Sequence, residues 1–272
     1  MSKIIAVLIG ILLGTSFGFA VIFPTIICSE YQDAKYIDYE PGGNIHWIMP
    51  VFRDGEIIYQ SSVITDTGIS EDDFKVALSS PMCRKIIFGN GHGLSDIPEC
   101  PQSFLNAFED AVRHSGKDIC EHSDYEICVL ISAFVRTGIK YADDWDVHGC
   151  RDYTASPVET LYLGKGDCED VSVLFVSMAR AYGIDCVPIS YDGHCTAGVR
   201  IEGYDGENKV GDYSIVECTE SIWFVCDLWS PDCGEGRVLG KGVSDGIADA
   251  YLRYCDFIMP YNPILYIARM LS

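Results

Sequence analysis

Positive charge is what the sequence has least of: 19 Lys and Arg stand against 40 Asp and Glu in 272 residues, a formal net charge of −21. Phosphate backbones are held by clustered Lys and Arg, so nucleic acid is not an expected partner. The acid excess reads as a soluble surface, and it also suits a salty medium or cationic substrates. Although there are 13 cysteines, no CxxC pair occurs, which leaves zinc-ribbon and thioredoxin readings without a motif. Setting aside Cys28 and Cys168 leaves 11 cysteines, an odd number. Disulfides in an exported domain would leave at least one thiol over, and buried free thiols are the equal alternative. No acidic stretch has the spacing of a calcium loop. His46, His92, His114 and His122 each lack a second ligand at close spacing and read as surface or satisfied polar residues. Internal repeats and low-complexity tracts are also missing.

What is present begins with an uncharged apolar run over residues 4–27, preceded by Lys3. A bilayer needs ~20 such residues, whereas a signal-peptide core has ~7–15, so residues 1–28 read as an N-terminal signal anchor, one transmembrane helix. Lys3 inside and the acidic remainder outside would face the body of the protein to the exterior. Cleavage near Gly18–Ala20 would give a secreted form instead. With 48% hydrophobic residues, the rest of the chain can bury a sizeable core.

Residues 29–116 form an N-terminal region of hairpin and helices. Residues 44–62 predict two strands joined at Asp54–Gly55, with Pro41 and Pro50 as breakers. Ser70 caps a short acidic-start helix, residues 88–101 read as loop, and Phe104, Leu105, Phe108 and Val112 recur at helical spacing over 102–114. Asp124 is placed to cap a helix ending at Gly138, which should pack against the helix after Cys168. Residues 141–154 read as a long loop carrying Trp145 and Tyr153, able to line a cleft. The tail, 236–272, is broken by Pro260 and Pro263 and holds no run long enough to span a membrane.

The chain is organised around GKGDCEDVSVLFVSMARAYG, residues 164–183. Val171, Leu174, Phe175, Met178 and Ala179 recur at helical spacing, so Cys168 sits at a helix start. The unpaired amides and positive dipole end there favour a thiolate, while Asp167, Glu169 and Asp170 oppose it; a nearby imidazole would be needed to form an ion pair. His194 follows 26 residues later, beside two β-rich runs, Cys186–Tyr191 and Thr196–Ile201. A cysteine on a helix start and a histidine on an adjoining strand make a workable nucleophile and base.

The pattern SPVETLYLGKGDCEDVSVLFVSMARAYGID, then DGH, then YSIVECT resembles the transglutaminase-like superfamily, whose fold is related to papain-type cysteine proteases. FVRTGIKYADD and the residues Tyr153, Pro157, Glu159, Thr160 and Leu161 resemble its archaeal and bacterial branch, and the resemblance covers roughly 125–220. It implies an α+β fold in which the catalytic cysteine starts a helix packed on an antiparallel sheet, and it makes residues 117–235 the catalytic core. It further implies Cys168 as nucleophile, His194 as general base and acid, and Glu217 as the carboxylate orienting the imidazole. An acid accepting the imidazole N–H fixes the tautomer and stabilises the imidazolium. Asp227 competes for that role, because Trp223–Asp227 repeats the same strand-then-acid spacing. The reaction expected is acyl transfer through a thioester, with the Cys168 amide as first oxyanion donor and no cofactor. Water as acceptor gives a cysteine peptidase or amidase, a hydrolase acting on peptide or protein substrates of the cell wall or surface; an amine as acceptor gives a cross-linking transglutaminase. A binding module with a relic triad is the non-enzymatic alternative.

Overall fold

The structure is a computed structural model, and it describes residues 40–79, 97–149, 153–191, 193–219, 228, 234 and 236–238. The predicted anchor, Asp227 and nearly all of the tail lie outside the described residues. Among the described residues no helix is long and apolar enough to cross a membrane.

The first element is the predicted hairpin, β1 (Asn44–Arg53) with antiparallel β2 (Glu56–Asp66). Its two-residue turn places Asp54 and Gly55 at positive φ, 54° and 83°, the conformation that matches the right-handed twist of the strands. Pro50 does not break β1: it lies opposite Gln60, and the register shifts between Val51 and Phe52 instead. A two-stranded ribbon has free edges, where a missing N–H costs no ladder bond. Ile45, Trp47, Met49 and Val51 alternate inward, while Ile58, Tyr59 and Ile64 of β2 stay exposed. Helix α1 (Glu71–Leu78) follows, capped as expected by Ser70, whose side chain accepts from the Asp73 amide.

Helix α2 (Gln102–Arg113) buries Phe104, Leu105, Phe108 and Val112. Helix α3 (Asp124–Gly138) is buried over most of its length, including Arg136 and Thr137. Its cap is Ser123, not Asp124: Ser123 accepts from the Glu126 amide and Glu126 accepts from the Ser123 amide, a reciprocal box that moves Asp124 into the first turn. Trp47 stacks on Phe108 and meets Phe134 edge-on, so β1, α2 and α3 share one core, which continues through Leu174 and Phe175 to Val199 and Val216. That core runs across residue 116.

The stretch expected to be loop contains β3 (Lys140–Tyr141) and a single helical turn, α4 (Asp144–Val147). After α5 (Pro157–Leu163), β4 (Lys165–Gly166) pairs in parallel with β3 and leads into α6 (Cys168–Ala181). The remaining strands are β5 (Asp185–Tyr191), β6 (His194–Arg200), β7 (Lys209–Val210), β8 (Tyr213–Val216) and β9 (Arg237–Val238). They form an antiparallel sheet in the order β7-β8-β6-β5-β9. Helix α6 packs on one side against α3, as the sequence predicts, and on the other against β5 and β6. The architecture is mixed helix and sheet. Cys100, Cys120, Cys128, Cys168, Cys186, Cys195 and Cys218 are free thiols, and of these only Cys120 is exposed.

Candidate active site

Cys168 is fixed by the elements before it. Helix α5 ends at Gly164 in the left-handed conformation, φ 61°, which reverses the chain into β4. The Lys140 and Ala142 amides donate to the carbonyls of Gly164 and Gly166, 3.0 Å each, and hold the segment straight up to the start of α6. Asp167 is the N-cap: its side chain accepts from the Glu169 and Asp170 amides, and the Asp170 carboxylate accepts from the Asp167 amide. Cys168 is therefore the first helical residue, and its own amide has no acceptor within the helix. Two of the three acids around the cysteine are present as the cap, a motif whose loss costs ~1 kcal/mol.

His194 opens β6, immediately after the turn at Gly193, and Glu217 follows the last residue of β8. The ladder pairs Ala197 with Val216. Extending it by one residue puts Glu217 opposite Thr196, and His194, two residues away on the same face, becomes the diagonal neighbour of Glu217. The contact is made: His194 Nε2 lies 2.8 Å from Glu217 Oε2. The other oxygen, Oε1, accepts from the Cys218 amide at 2.9 Å, the Thr219 amide at 2.8 Å and the Thr219 hydroxyl at 2.6 Å. Both carboxylate oxygens are thus held in place, and the imidazole has Nδ1 left for other chemistry.

Burial alone would push the Glu217 carboxyl up, but the hydrogen bonds from His194 and Thr219 outweigh it and hold it below its ordinary value. The same hydrogen bond to Glu217, against burial, raises the imidazole of His194. The pair therefore favours carboxylate and imidazolium together.

The two halves meet across α6 and β6. Ser172, one turn beyond Cys168 on the same helix face, donates from Oγ to the Cys195 carbonyl at 3.1 Å, and Cys195 adjoins His194. The thiol itself is engaged elsewhere: Cys168 Sγ donates to Glu169 Oε2 at 2.8 Å, and no hydrogen bond joins it to His194 among the described residues. Burial first, then the Glu169 carboxylate, raises the thiol well above its ordinary value. In this arrangement the helix dipole is outweighed, and the cysteine is a protonated thiol rather than half of the ion pair that the sequence asks for. Asp167 is pushed up to about 10 by burial and by Asp170, Glu169 and Asp144.

Of the predicted residues, the structure brings His194 and Glu217 into direct contact and sets Cys168 one packed helix face away. Asp227 lies outside the described residues. Of the histidines read as bystanders, His122 is buried on Glu126, 3.3 Å away, and His114 bonds the Asp110 carbonyl at 2.6 Å. Two site features are absent from the sequence reading. Glu169 as hydrogen-bond acceptor for the thiol depends on a side-chain rotamer that no spacing reveals. His148, buried at the C-terminal cap of α4, is the other; it stands four residues after Asp144, a helical ligand spacing visible in the sequence.

Residues 115–204 match the family model of the transglutaminase-like superfamily. The match supports the resemblance read from the GDCED segment: over these residues the chain is similar to a superfamily that in general comprises cysteine enzymes. The matched span includes Cys168 and His194 and ends before Glu217. No curated protein matches the chain.

Proposed function

We propose that this protein is a thiol hydrolase that cleaves peptide or isopeptide amides through Cys168, His194 and Glu217. The observation that carries the reading is the His194–Glu217 pair at 2.8 Å, anchored on the sheet that packs against the Cys168 helix.

In the first step the thiol turns from Glu169 to the neutral imidazole of His194, whose Nδ1 lone pair takes its proton to give the imidazolium that Glu217 stabilises. The thiolate attacks the amide carbon, and the oxyanion that forms is stabilised by the unpaired Cys168 amide. Collapse breaks the C–N bond, and the leaving amine takes the proton from His194. Water then attacks the thioester with His194 as base, releasing the acid and restoring the thiol. Glu217 keeps Nε2 protonated and stabilises the imidazolium between the two transfers. An amine in place of water would make the product a cross-link.

The apolar run at residues 4–27 supports a membrane anchor with the enzyme body facing outward, where cell-wall or surface peptides are the available substrates. On this reading residues 29–116 complete the core of the catalytic region at 117–235, and 236–272 is an appended tail.

Iodoacetamide labelling at pH 7, mapped peptide by peptide, tests the proposal, with exposed Cys120 as internal reference. The labelling rate of Cys168 relative to Cys120 should fall in His194→Ala, because His194 is the base that takes the thiol proton. A ratio that His194→Ala leaves unchanged would leave a binding module with an idle triad. Amine release from peptide amides, with and without added primary amine, then separates hydrolysis from cross-linking.

A further inference from the structure

Beneath the first turn of α6 lies a group of side chains that the acyl-transfer chemistry does not use. Asp144 opens the single turn α4 and His148 is its C-terminal cap, and Asp170 comes from the first turn of α6. One donor atom from each lies within 4.8 Å of the other two, and all three residues are buried. His148 is 8% exposed, and its Nε2 has no hydrogen-bond partner among the described residues, a costly condition for an imidazole whose ring centroid lies 4.1 Å from that of Tyr153 in a tilted contact.

The carboxylates are oriented from behind. Asp170 accepts from the Ala155 amide at 2.6 Å and the Asp167 amide at 3.3 Å, and Asp144 Oδ2 accepts from the Tyr153 amide at 2.5 Å. A carboxylate oxygen carries two lone pairs, so a backbone donor on one does not by itself prevent ligation. The space beside Asp170 is kept by Gly166, where an added Cβ would come within 2.7 Å of Asp170 Oδ2. Backbone donors fixing carboxylates that turn toward an imidazole are the usual surroundings of a metal ligand set.

We propose that Asp144, His148 and Asp170 form a binding site for a divalent transition-metal ion. One imidazole nitrogen and two carboxylates suit Zn2+ or Mn2+, whereas a calcium or magnesium site would be all oxygen. Metal–ligand bonds of ~2.0–2.2 Å place donors ~3.3–3.6 Å apart in tetrahedral geometry, so side-chain rotation is enough to close the set around an ion. The ion ties α4 to the start of α6, and its role is structural: it fixes the chain that leads to Cys168. The site needs neither Cys168 nor His194, so it stands or falls separately from the hydrolase reading.

The test uses the full chain in detergent, stripped with chelator and reloaded with Zn2+ or Mn2+. Metal content after gel filtration should be one equivalent of Zn2+ per chain, with a higher thermal midpoint than the stripped protein. Asp144→Asn and His148→Gln should weaken binding by ~100-fold or more, while Cys168→Ser and Glu169→Gln should retain it. Electron spin-echo spectra of the Mn2+-loaded wild type should show an imidazole nitrogen, a reading that needs no variant to fold. Three results would each overturn the proposal: no binding at 1 mM metal, no imidazole nitrogen, or binding that survives His148→Gln and disappears in Glu169→Gln. The last would assign the ion to Asp167, Cys168 and Glu169, whose donor atoms also lie within 4.8 Å of one another.

Discussion

The two halves of the candidate site are built on opposite electrostatic terms. On the sheet side, Glu217 is 3% exposed and both its oxygens are bonded, so the imidazole of His194 is oriented and its affinity for a proton raised before any substrate arrives. On the helix side, the cap that starts α6 surrounds Cys168 with acidic side chains, and the thiol is held to the neighbouring Glu169. The base is preorganised; the nucleophile is restrained. The difference shows that a helix start does not activate a cysteine by itself. The partial charge at the end of a helix is about half an elementary charge, and one full carboxylate charge at hydrogen-bond distance exceeds it. Activation has to come from the sheet side, through the proton affinity of His194.

Breaking the nucleophile half has the largest effect. Cys168→Ser should abolish both selective labelling and amine release, because an alcohol on the same helix start has no route to its alkoxide without a far stronger base. Breaking the base half comes next. Glu217→Gln keeps the shape but removes the charge that holds Nε2 protonated, and should lower the turnover rate by ~10²–10⁴-fold.

The same pair has a stability signature. The raised imidazole contributes fully below its ordinary 6.5 and loses its contribution as pH rises through the folded value. The lowered carboxyl contributes above its ordinary 4.5 and loses its contribution as pH falls through the folded value. A double-mutant cycle of His194→Ala with Glu217→Gln should therefore give a coupling of ~1–2 kcal/mol between pH 4.5 and 6.5, shrinking on both sides. A coupling that stays constant from pH 4 to 9 would mean the pair is not ionic.

Glu169→Gln has the opposite sign and a smaller size. It removes the charged acceptor from Cys168 Sγ, so the labelling rate of the thiol at pH 7 should rise, by ~10-fold for each unit of pKa recovered. An unchanged or slower rate would show that Glu169 helps to present the thiol, and the contrast between the two halves would fail.

What could be read from the sequence follows from how local each cause is. The apolar spacing of Val171, Leu174, Phe175 and Met178 needs only the helix period, and the helix lies where that period puts it. The Asp54–Gly55 turn and the Ser70 cap are likewise decided within four residues. Ser123 and Asp124 are adjacent cap formers, and only the reciprocal bond from Glu126, three residues after Ser123, selects between them. Glu217 is named only through the family resemblance, with Asp227 in competition, because the pairing of β6 with β8 that brings it to His194 is a non-local contact. The Glu169–thiol bond depends on a rotamer chosen by the packed surroundings. The Asp144, His148 and Asp170 group depends on bringing residue 170 back onto the 144–148 turn, a closure that no local pattern reports.

The finest test of the contrast is Thr219→Val. Thr219 donates twice to Glu217 Oε1, from its amide at 2.8 Å and from its hydroxyl at 2.6 Å, and valine removes only the second donor while keeping the shape. If the base half owes its order to a full set of donors, the carboxylate should lose ~1 kcal/mol of stabilisation and swing more freely about the remaining amides. Turnover should then fall by a few-fold, about what 1 kcal/mol is worth, and its lower pH limit should move up, because Glu217 then protonates more easily. Substrate KM should stay where it is, since Thr219 acts on the imidazole only through Glu217. A change in KM with turnover unaffected would instead place Thr219 on the substrate path and make the order of Glu217 a consequence of the backbone alone.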